Sequence, residues 1–226
     1  MEEKAKKKSE SGKGAVFGEE IKAHIEEHVG KIRTGFQEKW GDTSSPDILF
    51  VRATLEQPFH IFFTCGVSDN PMNVPEGMEE YSRAELAIAL PQSWPLGGKS
   101  IKNDESIWPL RWLKRVGRLP QDQKTWIGKG HTISNGDPWE PIADTNFTGV
   151  LVSPPFGLPQ EFSQLQTRQG VNILFYLLIP LYKEEMDLKL RKGSQALEKL
   201  LHKHDTDFVL DLQRTNVAKK KSWFRS

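Results

Sequence analysis

Cysteine is nearly missing from this sequence. Cys65 is the only one among 226 residues, so no intrachain disulfide can form, and the expected compartment is the cytoplasm. In that setting the Asn-x-Thr at Asn146 carries no weight as a glycosylation site. Long apolar runs are missing as well. The longest, VNILFYLLIP at 171–180, is about half the length of a membrane span and reads as a buried strand, so no membrane partner is expected. The first fourteen residues, MEEKAKKKSESGKG, lack the apolar segment of a secretory signal. No Gly-x-Ser-x-Gly elbow, phosphate-binding loop or dinucleotide fingerprint occurs, and no cofactor is expected.

What is present is an ordinary globular composition, 37% hydrophobic and 10% aromatic, with room for one domain and a sizeable core. Charge is spread unevenly. Residues 1–14 hold five lysines against three glutamates, and residues 214–226 hold five cations and no acid. Removing those ends from the net charge of +1 leaves the body, 15–213, at −6. A body of that sign suits a basic protein partner better than nucleic acid, and no specific nucleic acid is expected. The organisation that follows is a disordered charged arm over 1–14, a folded domain over 15–213 and a basic tail over 214–226. In the tail, three lysines ahead of Trp223 and Phe224 have the composition of a nucleic-acid or anionic-surface contact. An ordinary frayed terminus is the simpler reading.

Apolar residues at 21, 25, 29, 32, 36 and 40 step by three and four, which predicts an amphipathic helix within 15–40. GDTSSPD breaks it, and the rest of the domain follows over 45–213. DILFVRATL (47–55) and FHIFFTCGVS (59–68), separated by Glu56, Gln57 and Pro58, read as neighbouring strands. RAELAIAL (83–90) sets Ala84, Leu86, Ile88 and Leu90 on one face and Arg83 and Glu85 on the other, the pattern of a half-buried strand. ESIWPLRWLKRVGRLP (105–120) turns to helical spacing, with Trp108, Trp112, Val116 and Leu119 on one stripe, Pro109 in the first turn and Pro120 as the stop. Further strands are expected at KTWIGKG (124–130), TGVLVS (148–153) and 171–179. Residues 180–204 read as helical with a break at Gly193, after which Ser194 would cap a second segment, and DFVLDL (207–212) offers a last short strand. Strands in the middle, helices at both ends and one helix between them predict an α+β domain.

HIEEH, His24 to His28, fits the H-x-x-E-H pattern of inverted zinc metalloproteases. At about 100° per residue His28 falls at the edge of the apolar stripe and His24 one step toward the polar side. Both could face one way, but a zinc site needs a third ligand and supporting groups, and nothing in the sequence marks one. The motif is coincidental and no metal is expected. Cys65, in an apolar strand, reads as core. His131 among glycines could in principle work with Asp69, Asp137 or Glu185 in acid–base chemistry, although a turn histidine satisfied by backbone is the simpler state.

Several motifs in fixed order carry a resemblance. They are CGVSDNPMNV (65–74), AELAIALPQSWPL (84–96) with WPLRWLKRVGRLP (108–120), and TWIGKGHTI (125–133), followed by IPLYKEEMDLKLRKGSQAL (179–197) and VLDLQR (209–214). Together they resemble the Suppressor of fused domain in its bacterial form. That form typically reads Gly-Met-Ser-Asp-x-Pro-Met, then Ala-Glu-Leu ahead of Leu-Pro and a tryptophan. Trp-Pro with a helix ending at a proline comes next, then Trp-x-x-x-Gly-His-Thr. Val67 stands where methionine is usual, and the chain has no room for the second lobe of the animal protein.

The resemblance implies a single domain around a central mixed, largely antiparallel sheet flanked by helices. It also implies protein recognition in place of catalysis. The animal relative restrains a transcription factor by gripping a short extended peptide, with strand pairing part of the grip. Bacterial relatives are thought to serve as immunity proteins or antitoxins that neutralise toxins, often nucleases, encoded beside them. On that footing no residue is catalytic. Asp69, Glu85, His131 and Thr132 are candidates for a shared partner-binding surface, with Trp126 as an aromatic anchor. The alternatives are a regulator that sequesters an endogenous protein and a hydrolase built on His131.

Overall fold

The structure, a computed structural model, describes residues 15–33, 46–96 and 104–219. The arm over 1–14 lies outside them. β1 (Asp47–Val51), β2 (Phe59–Cys65) and β3 (Ala84–Pro91) form an antiparallel meander. β3 then pairs in parallel with β7 (Asn172–Tyr182), which pairs antiparallel with β5 (Phe147–Ser153). β5 pairs antiparallel with β4 (Thr132–Ser134), the last strand in the described order. A short β6 (Gln164–Gln166) pairs with the opening residues of β7. With α1 (Gly18–His28), α2 (Asp104–Gln123), α3 (Lys183–Lys192) and α4 (Ser194–Lys203) around it, this is an α+β domain on a mixed, mostly antiparallel sheet.

Both faces of the sheet are covered. On one, Leu86, Ile88, Leu90, Val150, Val152 and Leu178 pack beneath Trp108, Trp112, Leu113 and Val116 of α2. On the other, Ile61, Phe63, Ala87, Phe175 and Leu177 meet Ile21 and Ile25 of α1, Met186 of α3 and Leu197 of α4. Ile21 and Ile25 are fully buried, each worth about 1.5–3 kcal/mol relative to exposure. β3 is therefore buried on both sides, not half-buried. Its second face carries Ala87 and Ala89, whose small side chains add little to a hydrophobic pattern yet sit in the core under the α1 side.

Several expected boundaries move. α1 stops at His28. The Val29 and Gly30 amides both turn back to the Ile25 carbonyl, and Ile32 bridges to Val51 at the edge of β1. Positions 36 and 40 of the expected helix lie outside the described residues. α2 runs three residues past Pro120 and ends where Lys124 adopts a left-handed conformation (φ 51°). The first strand ends at Val51, leaving 52–58 as a loop. The strand expected at 124–130 begins only at Thr132, because the chain there folds back on itself: a Cβ on Gly128 would come 2.6 Å from the Trp126 ring.

At the other end β7 continues through Pro180 to Tyr182. Beyond Leu177 it has parted from β3, and the Pro180 carbonyl points to Arg214. The missing proline N–H therefore falls on the side with no ladder partner among the described residues. Ser194 makes no side-chain cap. It packs instead where a Cβ on Gly130 would lie, 2.8 Å from its hydroxyl. The last strand expected at 207–212 reduces to one parallel bridge, Val209 with Ala89.

Candidate functional site

β4 leaves one edge of the sheet open among the described residues. Its pairing with β5 sets Ile133 opposite Val150, and Asn135 N–H donates to the Thr148 carbonyl. Val152 N–H donates to the His131 carbonyl. Hydrogen-bonded pairs therefore fall at 131, 133 and 135, and the alternation of an antiparallel ladder turns the N–H and C=O groups of Thr132 and Ser134 away from the sheet. Such an edge is a template for another strand.

A groove of about 460 Å³ runs beside that edge, lined by Thr132 and Ser134, by Trp126 and His131 of the preceding loop, by Arg115 of α2 and by Lys189 of α3. Trp126 and His131 meet edge to face with centroids 4.3 Å apart, both half-buried. Gly128 leaves room for the Trp126 ring, and Gly130 (φ 80°) turns the chain into the strand. Burial holds the His131 imidazole below its usual range. The nearby Lys189 charge acts the same way, and a hydrogen bond to the Trp126 backbone opposes both. Arg115 lies over the Trp112 ring at 4.8 Å and donates to the Asn135 side chain at 2.9 Å.

Three of the five sequence candidates, Trp126, His131 and Thr132, are thus brought together, and the other two lie elsewhere. Glu85 is a correction. It is fully buried on the α1 face of β3, so it is no part of a surface. One oxygen accepts the Gly66 and Ser68 amides and the Ser68 hydroxyl, at 3.0, 3.0 and 2.6 Å, and the other accepts the Thr64 hydroxyl at 2.5 Å. Burial pushes this carboxyl up, while those four donors pull it down. Asp69, half-buried on the 3-10 turn Val67–Asp69, holds the entry to α1: both of its oxygens accept the Val16 amide at 3.0 Å. Arg83 closes the same turn by donating to the Ser68 and Asp69 carbonyls. The turn motif is a structural plug.

Glu185 is fully buried and committed: it takes a bidentate bond from Arg214 at 2.7 and 2.5 Å, together with the Tyr182 and Val217 amides. Arg214 also lies 4.7 Å from the centre of the Tyr182 ring. The first residue of the basic tail is therefore built into the fold. His24, the more buried of the two α1 histidines, reverses the order expected from the helical wheel. Its ring stacks on Phe162 and Phe175, its Nε2 bonds the Phe162 carbonyl at 3.2 Å, and burial lowers its basicity. Among the described residues no three histidine, cysteine or carboxylate side chains converge as metal ligands. No described helix is long and apolar enough to cross a membrane.

Sequence reasoning missed Arg115, Ser134 and Lys189. Arg115 and Lys189 sat unmarked among the other cations of two amphipathic helices, and only the fold brings them beside β4.

The family model for the Suppressor of fused protein matches residues 42–215. No curated protein sequence matches the chain. Among solved structures, a SUFU homolog from Neisseria gonorrhoeae FA 1090 superposes with a TM-score of 0.60 at 16% identity, covering 90% of this chain and 98% of that one. The Sufu–Fu complex gives 0.58 at 15% identity, over 88% and 91% of the two chains. Drosophila Suppressor of Fused gives 0.51 at 13% identity over 78% of this chain, which spans only 44% of that longer protein. With the family model covering most of its length and the fold shared with these structures, the chain belongs to the Suppressor of fused family.

Proposed function

We propose that this chain is a non-catalytic protein-binding domain serving as a bacterial immunity protein, an antitoxin that binds and blocks a toxin encoded by a neighbouring gene. A nuclease is the leading class of toxin. One observation carries the binding reading: the outward N–H and C=O groups of Thr132 and Ser134 lie beside a groove walled by Trp126 and His131. An extended segment of the partner that pairs there would continue the sheet, its main-chain hydrogen bonds supplying affinity and the groove supplying side-chain selectivity. The neighbour solved as the Sufu–Fu complex, a protein assembly, supports the class of function. The immunity role rests on the likeness of the motifs to bacterial members. The −6 charge of the body, which would speed encounter with a basic toxin, adds to it.

Co-expression in a sensitive host tests this. The toxin domain from the adjacent gene is expressed with and without this protein. Rescue accompanied by a stable complex supports immunity by binding. Rescue without a complex points to enzymatic removal of the toxic product. No rescue, or no toxic neighbour, points to an endogenous protein partner and sinks the immunity role.

A further inference from the structure

Resting on the binding reading above, the charge of the groove indicates what the bound segment carries. The groove is opposite in sign to the body around it. Arg115 and Lys189 face it, and among the described residues no carboxylate lines it. Burial holds the His131 imidazole toward its neutral form, and the nearby Lys189 charge adds to that. The two cations come from helices on opposite faces of the sheet: α2 packs on one core and α3, through Met186, on the other. In a strand laid along β4, successive side chains point to opposite faces. We propose that the partner segment is an extended acidic peptide whose carboxylates stand at adjacent or odd spacing, one turned toward Arg115 and the other toward Lys189. A net-basic partner drawn to the acidic body would thus be set in register by a short acidic stretch, because like charges at the groove disfavour its basic segments.

The test uses fluorescein-labelled eight-residue threonine and valine peptides with a central Glu-Glu pair, and their Gln-Gln and Lys-Lys counterparts, titrated against the full chain at low salt. Two partly exposed ion pairs should make the Glu-Glu peptide bind about tenfold more tightly than Gln-Gln, a difference that shrinks as salt is added. Arg115→Glu with Lys189→Glu should turn the preference to Lys-Lys. Arg115→Gln with Lys189→Gln should erase it, and serves if the reversal unfolds the protein. Equal affinity for the Glu-Glu and Gln-Gln peptides overturns the acidic partner while leaving strand binding intact. Binding by none of the peptides overturns both. Displacement of the Glu-Glu peptide by an equimolar thymidine oligonucleotide makes the groove a phosphate site and overturns the proposal.

Discussion

Glu85 offers the sharpest perturbation, because surface and core roles predict opposite results. Replacing it with alanine leaves four donors facing a cavity: the Gly66 and Ser68 amides and the Thr64 and Ser68 hydroxyls. An orphaned buried donor costs about 1–3 kcal/mol. Hydroxyls can rotate to other acceptors, so roughly 4 kcal/mol is the expected loss, a large fraction of the roughly 5–15 kcal/mol that holds a domain together. Glu85→Gln is milder. An amide oxygen can keep the three donors on one side, and its NH₂ can turn to the Thr64 hydroxyl, which already accepts the Leu86 amide at 2.8 Å. Rearranging these buried bonds around an amide should then cost about 1 kcal/mol. Urea unfolding followed by circular dichroism measures both. The pH dependence follows from the raised native pKa: above the unfolded value of 4.5 the native state holds the proton longer. The advantage of wild type over Glu85→Gln is therefore fully present below pH 4.5 and is lost as pH rises through the raised native value. If Glu85→Ala unfolds within 1 kcal/mol of wild type, as ordinary surface substitutions roughly do, while partner affinity collapses, the buried assignment is wrong.

Three further outcomes follow from the packing. Arg214→Ala strands the fully buried Glu185 carboxylate and should cost about 3–5 kcal/mol in the same unfolding assay; a loss below 1 kcal/mol would mean the terminal segment does not dock. His24 has a lowered native pKa, so between 6.5 and that lower value the unfolded chain binds more protons and stability falls as pH falls. Replacing His24 with phenylalanine should flatten that slope in melts between pH 7 and 5, and an unchanged slope would refute the assignment. Gly128→Ala drives a methyl into the Trp126 ring and should shift tryptophan fluorescence and weaken partner binding about tenfold, the order of one displaced interface anchor. Unaltered affinity would remove Trp126 from the site.

Much of the fold was legible because its signals are local. Helical spacing located α1 and α2, and the Gly193 break located the division between α3 and α4. Errors arose where tertiary contacts decide. Alternation made β3 look half-buried because alanines at 87 and 89 carry little hydrophobic signal, although the α1-side core covers them. Pro120 read as a stop, yet a proline near a C-terminus forfeits a single ladder bond and α2 continues past it. The site was half legible. Trp126, His131 and Thr132 share one short stretch and the fold keeps them together. Glu85 and Asp69 belong to two motifs of equal prominence, but their carboxylates bond a turn and a helix entry of the same chain. Nothing in a motif distinguishes a carboxylate that meets a partner from one that meets its own backbone.

Hydrogen exchange at β4 tests the central claim most directly. Amide exchange is followed residue by residue in the free protein and in the complex recovered from the rescue experiment. The Thr132 and Ser134 amides, turned away from β5, should exchange rapidly in the free protein and slow by at least about tenfold on binding, as ladder hydrogen bonds form. Ile133, already paired with Val150, should change little. Protection confined to another surface, with Thr132 and Ser134 exchanging as fast in the complex as in the free chain, would contradict strand pairing at this edge.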